Sequence, residues 1–198
     1  MAEKTRVAVL VSGGGTNLQA LIDAAARGEI PDGEICLVVG SKDGIYALER
    51  AEKAGIPHAV VRKDEAGLIK LLEEYRTDLI VLAGYLTILS ENFTRKYRDR
   101  IINIHPSLIP SFCGKGYYGL KVHEAALQYG VKVTGATVHL VNEIPDGGRI
   151  LLQKAVEIRE GDTPEILQKR VMEQAEWKLL PAACEMMAKE LRGKRSVL

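Results

Sequence analysis

The sequence predicts an α/β protein: a mainly parallel, twisted sheet with helices on both faces and an antiparallel strand pair in the C-terminal half. Three observations predict it. Short continuous apolar runs recur at Val7–Val11, Ile35–Val39, Ala59–Val61, Leu79–Leu82 and Ile101–Ile104, as in strands buried on both faces. Between them lie segments whose apolar residues repeat at helical spacing, so strand and helix alternate at βαβ distance. Beyond residue 130 the rhythm changes to two strands whose connection is too short for a crossover helix, which makes them antiparallel.

Taken in order, the first strand runs into Ser12-Gly13-Gly14-Gly15-Thr16-Asn17 and a helix marked by Leu18, Leu21, Ile22 and Ala25. A helix from Gly44 to Ala54 is stopped by Gly55 and Pro57, and Leu68, Leu71, Leu72 and Tyr75 mark the next. After the fifth strand, Ser107 to Gly119 reads as a mobile loop near the ligand, punctuated by Pro110, Gly114, Gly116 and Gly119. A short helix over Val122–Tyr129 precedes strands at Lys132–Leu140 and Ile150–Ile158, joined through Asn142-Glu143-Ile144-Pro145-Asp146-Gly147-Gly148. Thr163-Pro164 caps and opens a final helix, in which Pro181 is expected to cause a kink or break.

The chain's 198 residues suit one domain with a substantial core, and 46% hydrophobic with 27% charged residues is the balance of an ordinary globular protein. With 27 basic against 26 acidic side chains there is no global field to attract nucleic acid. Arg192, Lys194 and Arg195 form the only basic cluster and read as a frayed, solvated tail. No apolar run approaches the length of a membrane span, and Met1 to Arg6 lead into the first strand without a signal-peptide pattern. Cys36, Cys113 and Cys184 are odd in number, lack metal-ligand spacing and suit reduced thiols in a cytoplasm.

Candidate chemistry starts at Asn103-Ile104-His105-Pro106-Ser107. Side chains two apart on a strand share a face, so Asn103 and His105 project together while Ile102 and Ile104 turn into packing. Pro106 ends the pairing. An amide donor beside a titratable ring at the carboxyl edge of a strand suits an oxyanion that forms and collapses, although two polar residues can also simply finish a strand. The triple-glycine turn offers backbone N–H groups at a helix N-terminus, which suits a phosphate, with side-chain donors from Thr16 and Asn17. It has neither the Lys of a P-loop nor a third glycine at Leu18, and a tight turn capped by Thr16 or Asn17 is the plainer alternative. Asp146 lies in Pro-Asp-Gly-Gly, where Asp is common for local reasons. It gains a role if its loop folds beside His105, where a carboxylate favours the imidazolium and orients the ring. His139 reads as a structural or loop-positioning residue, and His58 and His123 as ordinary surface or helix-end residues.

With these motifs in this order, the chain from about Val7 to Pro181 resembles the phosphoribosylglycinamide formyltransferases, a branch of the folate-dependent formyltransferase superfamily. Asn-x-His-Pro-Ser-Leu-x-Pro is specific to the superfamily, and the Ser-Gly-x-Gly-Thr/Ser-Asn turn narrows it to that branch. The resemblance implies the Rossmann-like formyltransferase fold in a single domain, with a nucleotide-phosphate half of about 1–100 and a folate and catalytic half of about 101–198. It implies a catalytic trio of Asn103, His105 and Asp146. Gly14, Gly15, Thr16 and Asn17 would hold the ribonucleotide phosphate, and Glu176 the ribose hydroxyls. Tyr85, Leu86, Thr87, Ile88 and Leu89 would line the folate pocket, closed from the other side by Leu140, Val141, Asn142 and Glu143. The implied reaction is formyl transfer from 10-formyltetrahydrofolate, a co-substrate, to the amine of glycinamide ribonucleotide, with no metal, nucleic-acid or membrane partner, in a cytoplasmic monomer or homodimer.

The chain departs from that pattern in places. Thr87 stands where an arginine is often found and Trp177 where histidine is common; Glu173 is an acid near the implied phosphate site. The loop Phe112-Cys113-Gly114-Lys115-Gly116-Tyr117-Tyr118-Gly119 also differs while staying glycine-rich. Two rival readings are hydrolysis of 10-formyltetrahydrofolate, and a dinucleotide-binding protein whose glycine turn grips a pyrophosphate with Asp43 near the ribose.

Overall fold

The apolar runs fold as strands because each can bury both faces. In the computed structural model, which describes residues 3–195, these are β1 (Thr5–Val11), β2 (Gly33–Gly40), β3 (His58–Val60), β4 (Leu79–Leu82) and β5 (Ile101–His105). β6 (Val133–Leu140) and β7 (Ile150–Glu157) complete one sheet ordered β3-β2-β1-β4-β5-β6-β7. The pairs from β3 through β5 are parallel, and β5–β6 and β6–β7 are antiparallel, as the change of rhythm predicts. The third strand sits one residue earlier than its apolar run suggests. Met1 and Ala2 lie outside the described residues.

Helices cover both faces. α1 (Thr16–Ala26), α2 (Tyr46–Lys53), α6 (Pro164–Val171) and α7 (Trp177–Arg195) pack on the face of Val7, Val9, Val11, Ile102 and Ile104. α3 (Glu65–Glu74) and α4 (Glu91–Lys96) pack on the face of Ala8, Leu10, Ile80, Leu82 and Ile101. Leu10, Leu18 and Leu21 are fully buried, each contributing about 1.5–3 kcal/mol of transfer free energy. α4 has no counterpart in the sequence reading; at one and a half turns it is too short to show a period, and Ser90 starts it by accepting the Phe93 N–H. α5 (Leu120–Tyr129) follows the glycine-rich loop.

Two expectations are corrected here. Pro181 does not break the last helix, because α7 is continuous through it; the irregularity is a π-helical segment one turn earlier, Met172–Glu176. Pro181 forfeits a single backbone bond, while Leu180, Ala183, Cys184 and Met187 bury the helix along its length. The basic C-terminal cluster is not a frayed tail either. Arg192 pairs with Asp32 and Lys194 with Glu190, so these residues finish α7; the side chain of Arg195 lies outside the described residues.

From β1 the chain builds outward to β2 and β3, then crosses to β4 on the other side. Strand order therefore reverses between β1 and β4, and a crevice opens beyond their carboxyl ends, where Ser12 and Gly84 stand.

Candidate active site

Register decides what β5 presents. Asn103 pairs with His139 and His105 with Thr137 across the antiparallel β5–β6 ladder, so all four side chains share one face. Asn103 Nδ2 lies 3.2 Å from His139 Nε2, and His139 Nδ1 lies 2.8 Å from the Leu140 carbonyl. The carbonyl can only accept, so Nδ1 carries a proton, and Nε2 stands between the Asn103 amide and Asp146. His105, 4% exposed, donates from Nε2 to the Phe112 carbonyl at 2.9 Å. Thr137 Oγ1 donates to the Ser107 carbonyl at 2.6 Å and accepts the Ile109 N–H at 3.1 Å, latching the chain beyond Pro106 to β6.

Asp146 arrives on the β6–β7 loop. Its Oδ2 lies 3.6 Å from His105 Nδ1 and accepts the Gly114 N–H at 2.8 Å, while Oδ1 lies 3.5 Å from His139 Nε2. The residue adopts a left-handed φ of 56°, which Asp tolerates better than most side chains. A side chain at Gly148 would run into the Leu140 carbonyl, so glycine lets the loop close onto β6. Asp146 therefore does more than shape a turn. His139 also exceeds its sequence reading: it stands inside the cluster, between Asn103 and Asp146, a position only the strand register reveals.

Burial pushes His105 below the usual histidine range, and the charge of Asp146 with the Phe112 carbonyl offsets that only in part. Asp146 favours the imidazolium, as the sequence suggests, but desolvation outweighs the ion pair. Burial would raise Asp146 too, but His139, His105 and the Gly114 N–H together keep it below the ordinary carboxylate value, and it is ionised.

His58 is exposed, as expected, but His123 is fully buried in α5 with neither ring nitrogen hydrogen-bonded among the described residues. Burial, reinforced by the charge of His105, pushes it down to about 4. Between pH 6.5 and 4 the unfolded chain takes up this proton and the folded chain does not, so stability is present above 6.5 and lost as pH falls. The loss is on the order of 3 kcal/mol. Urea midpoints at pH 7 and 4 should converge markedly in His123→Leu relative to wild type; an unchanged acid slope would contradict this.

The loop from Ser107 to Gly119, expected to be mobile, is tied to the cluster. Phe112 accepts from His105, Gly114 donates to Asp146, and the Phe112 ring meets Tyr117 and Tyr129 edge-on.

At the glycine turn, Gly15 has φ 73°, and an added Cβ would stand 2.7 Å from that of Ala47. Gly13 accepts the Ala47 N–H at 3.2 Å, and Gly14 accepts from Arg50 Nε at 2.9 Å. The turn's carbonyls are thus engaged by α2, leaving the α1 N-terminus, with no acid in its first turn, available to an anion. Asn17 Nδ2 donates to Glu176 Oε2 at 2.7 Å. Glu176 is buried on the π segment, and burial, partly offset by Asn17, raises its carboxyl to about 7. Glu173 is exposed and pairs with Lys169, so its charge does not point inward. Thr16 and Trp177 line a cavity of about 310 Å³ with Arg50.

A larger cavity, about 670 Å³, opens in front of Asn103, His139 and Asp146. Tyr85, Leu86, Thr87, Ile88 and Leu89 form one wall, and Val141, Asn142 and Glu143 the other. Leu140 is the exception among the expected lining residues. Strand alternation turns its side chain into the core beside Ile102 and Val138. Leu86 and Ile88 are 62% and 80% exposed, an uncovered apolar wall suited to a flat ring. Lys115 reaches the same cavity, and Lys63 lines an adjoining one of about 400 Å³ that shares Thr87 and Ile88.

The formyl transferase family matches residues 5–184. A phosphoribosylglycinamide formyltransferase of Haemophilus influenzae is 42% identical over 184 residues, 89% of this chain and 84% of that protein. The trifunctional purine biosynthetic protein adenosine-3 of Bos taurus is 44% identical over 94% of this chain, which spans only 18% of its length. Among solved structures, glycinamide ribonucleotide transformylase 1 from Symbiobacterium toebii superposes with a TM-score of 0.87 at 38% identity, covering 94% of this chain and 89% of the other. The chain belongs to the formyl transferase family, in its phosphoribosylglycinamide formyltransferase branch.

Proposed function

We propose that this protein transfers the formyl group of 10-formyltetrahydrofolate to the primary amine of glycinamide ribonucleotide, a step of purine biosynthesis. The observation that carries the reading is the convergence of Asn103, His105 and Asp146, with Asn103 and Asp146 opening onto an apolar-walled cavity and a glycine turn suited to phosphate at the same sheet edge. The cavity wall from Tyr85 to Leu89, with Val141 to Glu143 opposite, takes the folate. Gly14, Gly15, Thr16 and Asn17 take the phosphate, and Glu176 the ribose hydroxyls.

The amine attacks the formyl carbon, and the carbonyl electrons move onto oxygen. Asn103 donates to that oxyanion, and so does His105 once its ring takes up a second proton from solvent. Its developing charge opposes the burial effect on His105 and draws the ring toward imidazolium, with Asp146 as counter-ion. Collapse of the tetrahedral adduct re-forms the carbonyl and breaks the bond to the folate nitrogen. Asp146, directly or through water, moves the proton lost by the attacking amine to that leaving nitrogen.

The test offers several amine acceptors with 10-formyltetrahydrofolate. Formyl glycinamide ribonucleotide should form selectively; formate release without an acceptor would instead identify a hydrolase. The dinucleotide reading has less support, since Asp43 is an exposed partner of Arg62 and the Asn103 cluster would be idle.

Glu176→Gln separates binding from stability. The folded-state carboxyl is raised from 4.5 to about 7, so the wild type loses stability as pH rises through that window. The amide removes that cost, and the variant should gain on the order of 2–3 kcal/mol above pH 7 and nothing near pH 4.5. Its KM for the ribonucleotide should rise with little change in the folate KM. Denaturation at pH 5 and 8 with steady-state kinetics checks both.

A further inference from the structure

Ser12 follows β1 on the face opposite Val11, at the point where strand order reverses. Its backbone N–H donates to the Gly84 carbonyl at 3.1 Å, and its Oγ accepts the Leu86 N–H at 2.9 Å. Beyond β2, Ser41 Oγ donates to Ser12 Oγ at 2.8 Å. Gly84 has a left-handed φ of 72°, so the chain after β4 doubles back over Ser12. Ser12 is 8% exposed, whereas Leu86 stands out on the cavity wall with little packed against it. No role proposed above uses Ser12.

We propose that Ser12 is a positioning residue for the folate wall, although in sequence it adjoins the ribonucleotide turn; the assignment rests on the functional reading above. Tyr85 and Leu89 pack against the core, whereas Leu86 and Ile88 between them are exposed, and the Ser12 hydroxyl supplies the hydrogen bond that ties the segment at Leu86. Without it the Leu86 N–H loses its acceptor and residues 84–89 relax away from the crevice. Ser41 holds the hydroxyl in place from the far side.

Ser12→Ala should raise the KM for 10-formyltetrahydrofolate on the order of tenfold, the worth of one partly buried hydrogen bond. The ribonucleotide KM, kcat and thermal midpoint should stay near wild type. Ser41→Ala, which leaves the Ser12–Leu86 bond in place, should shift the folate KM far less. A rise in ribonucleotide KM with the folate KM unmoved would overturn the proposal, as would a parallel fall of every parameter with lost stability. Calorimetric titration of tetrahydrofolate into wild type and Ser12→Ala reads the same wall without turnover. If wild type binds tetrahydrofolate yet formylates no ribonucleotide, the functional reading fails while the affinity ratio still judges Ser12; equal affinities would overturn the role of Ser12.

Discussion

Asn103→Ala and His105→Ala are each expected to lower kcat on the order of 10²–10³, the usual loss when one oxyanion donor is removed from a water-poor site. The two variants should separate in stability. Asn103 is half-buried and lies 3.2 Å from His139 Nε2, so its loss leaves the rest of the cluster in place. His105 is buried and bonded to Phe112, so alanine there also leaves a cavity and an unsatisfied carbonyl. His105→Gln, which keeps a donor of similar reach, should retain more stability than alanine while staying catalytically impaired. Rates at single turnover, with circular dichroism as a folding control, decide the matter. Near-wild-type chemistry in Asn103→Ala would remove the amide from the mechanism.

Asp146→Asn is expected to be equally damaging, on the order of 10²–10⁴, because it removes the proton carrier and the counter-ion together. It also carries a signed pH prediction. Asp146 is the largest influence raising His105, against burial, which lowers it. Removing the carboxylate therefore lowers His105 further. If imidazolium is needed at the oxyanion, the rate lost as pH rises through the ring's titration should be lost at lower pH in the variant. A pH profile of kcat that keeps its midpoint in Asp146→Asn would show that the two groups are not coupled during turnover. Asparagine can still accept the Gly114 N–H, so the loop should stay closed.

The legible part of this protein was periodic. Continuous apolar runs became the five parallel strands, and the short connection after Leu140 became an antiparallel pair, because burial on two faces and loop length are local properties. The pairing of Asn103 and His105 on one face follows from strand alternation alone, and so does the withdrawal of Ile102 and Ile104 into the core. Less legible were α4, too short to display a period, and the passage of α7 through Pro181, which packing along the whole helix decides.

The sequence by itself determined the layered architecture, the strand-end amide and imidazole, and the glycine turn, since each depends on neighbours within a few residues. Tertiary structure alone decided that His139 faces Asn103, that Asp146 reaches both rings, that Leu140 turns inward and that His123 is buried. It also decided the direction in which His105 is shifted. Desolvation depends on everything packed around a group, and that sum over distant segments outweighs the one carboxylate visible from the motif.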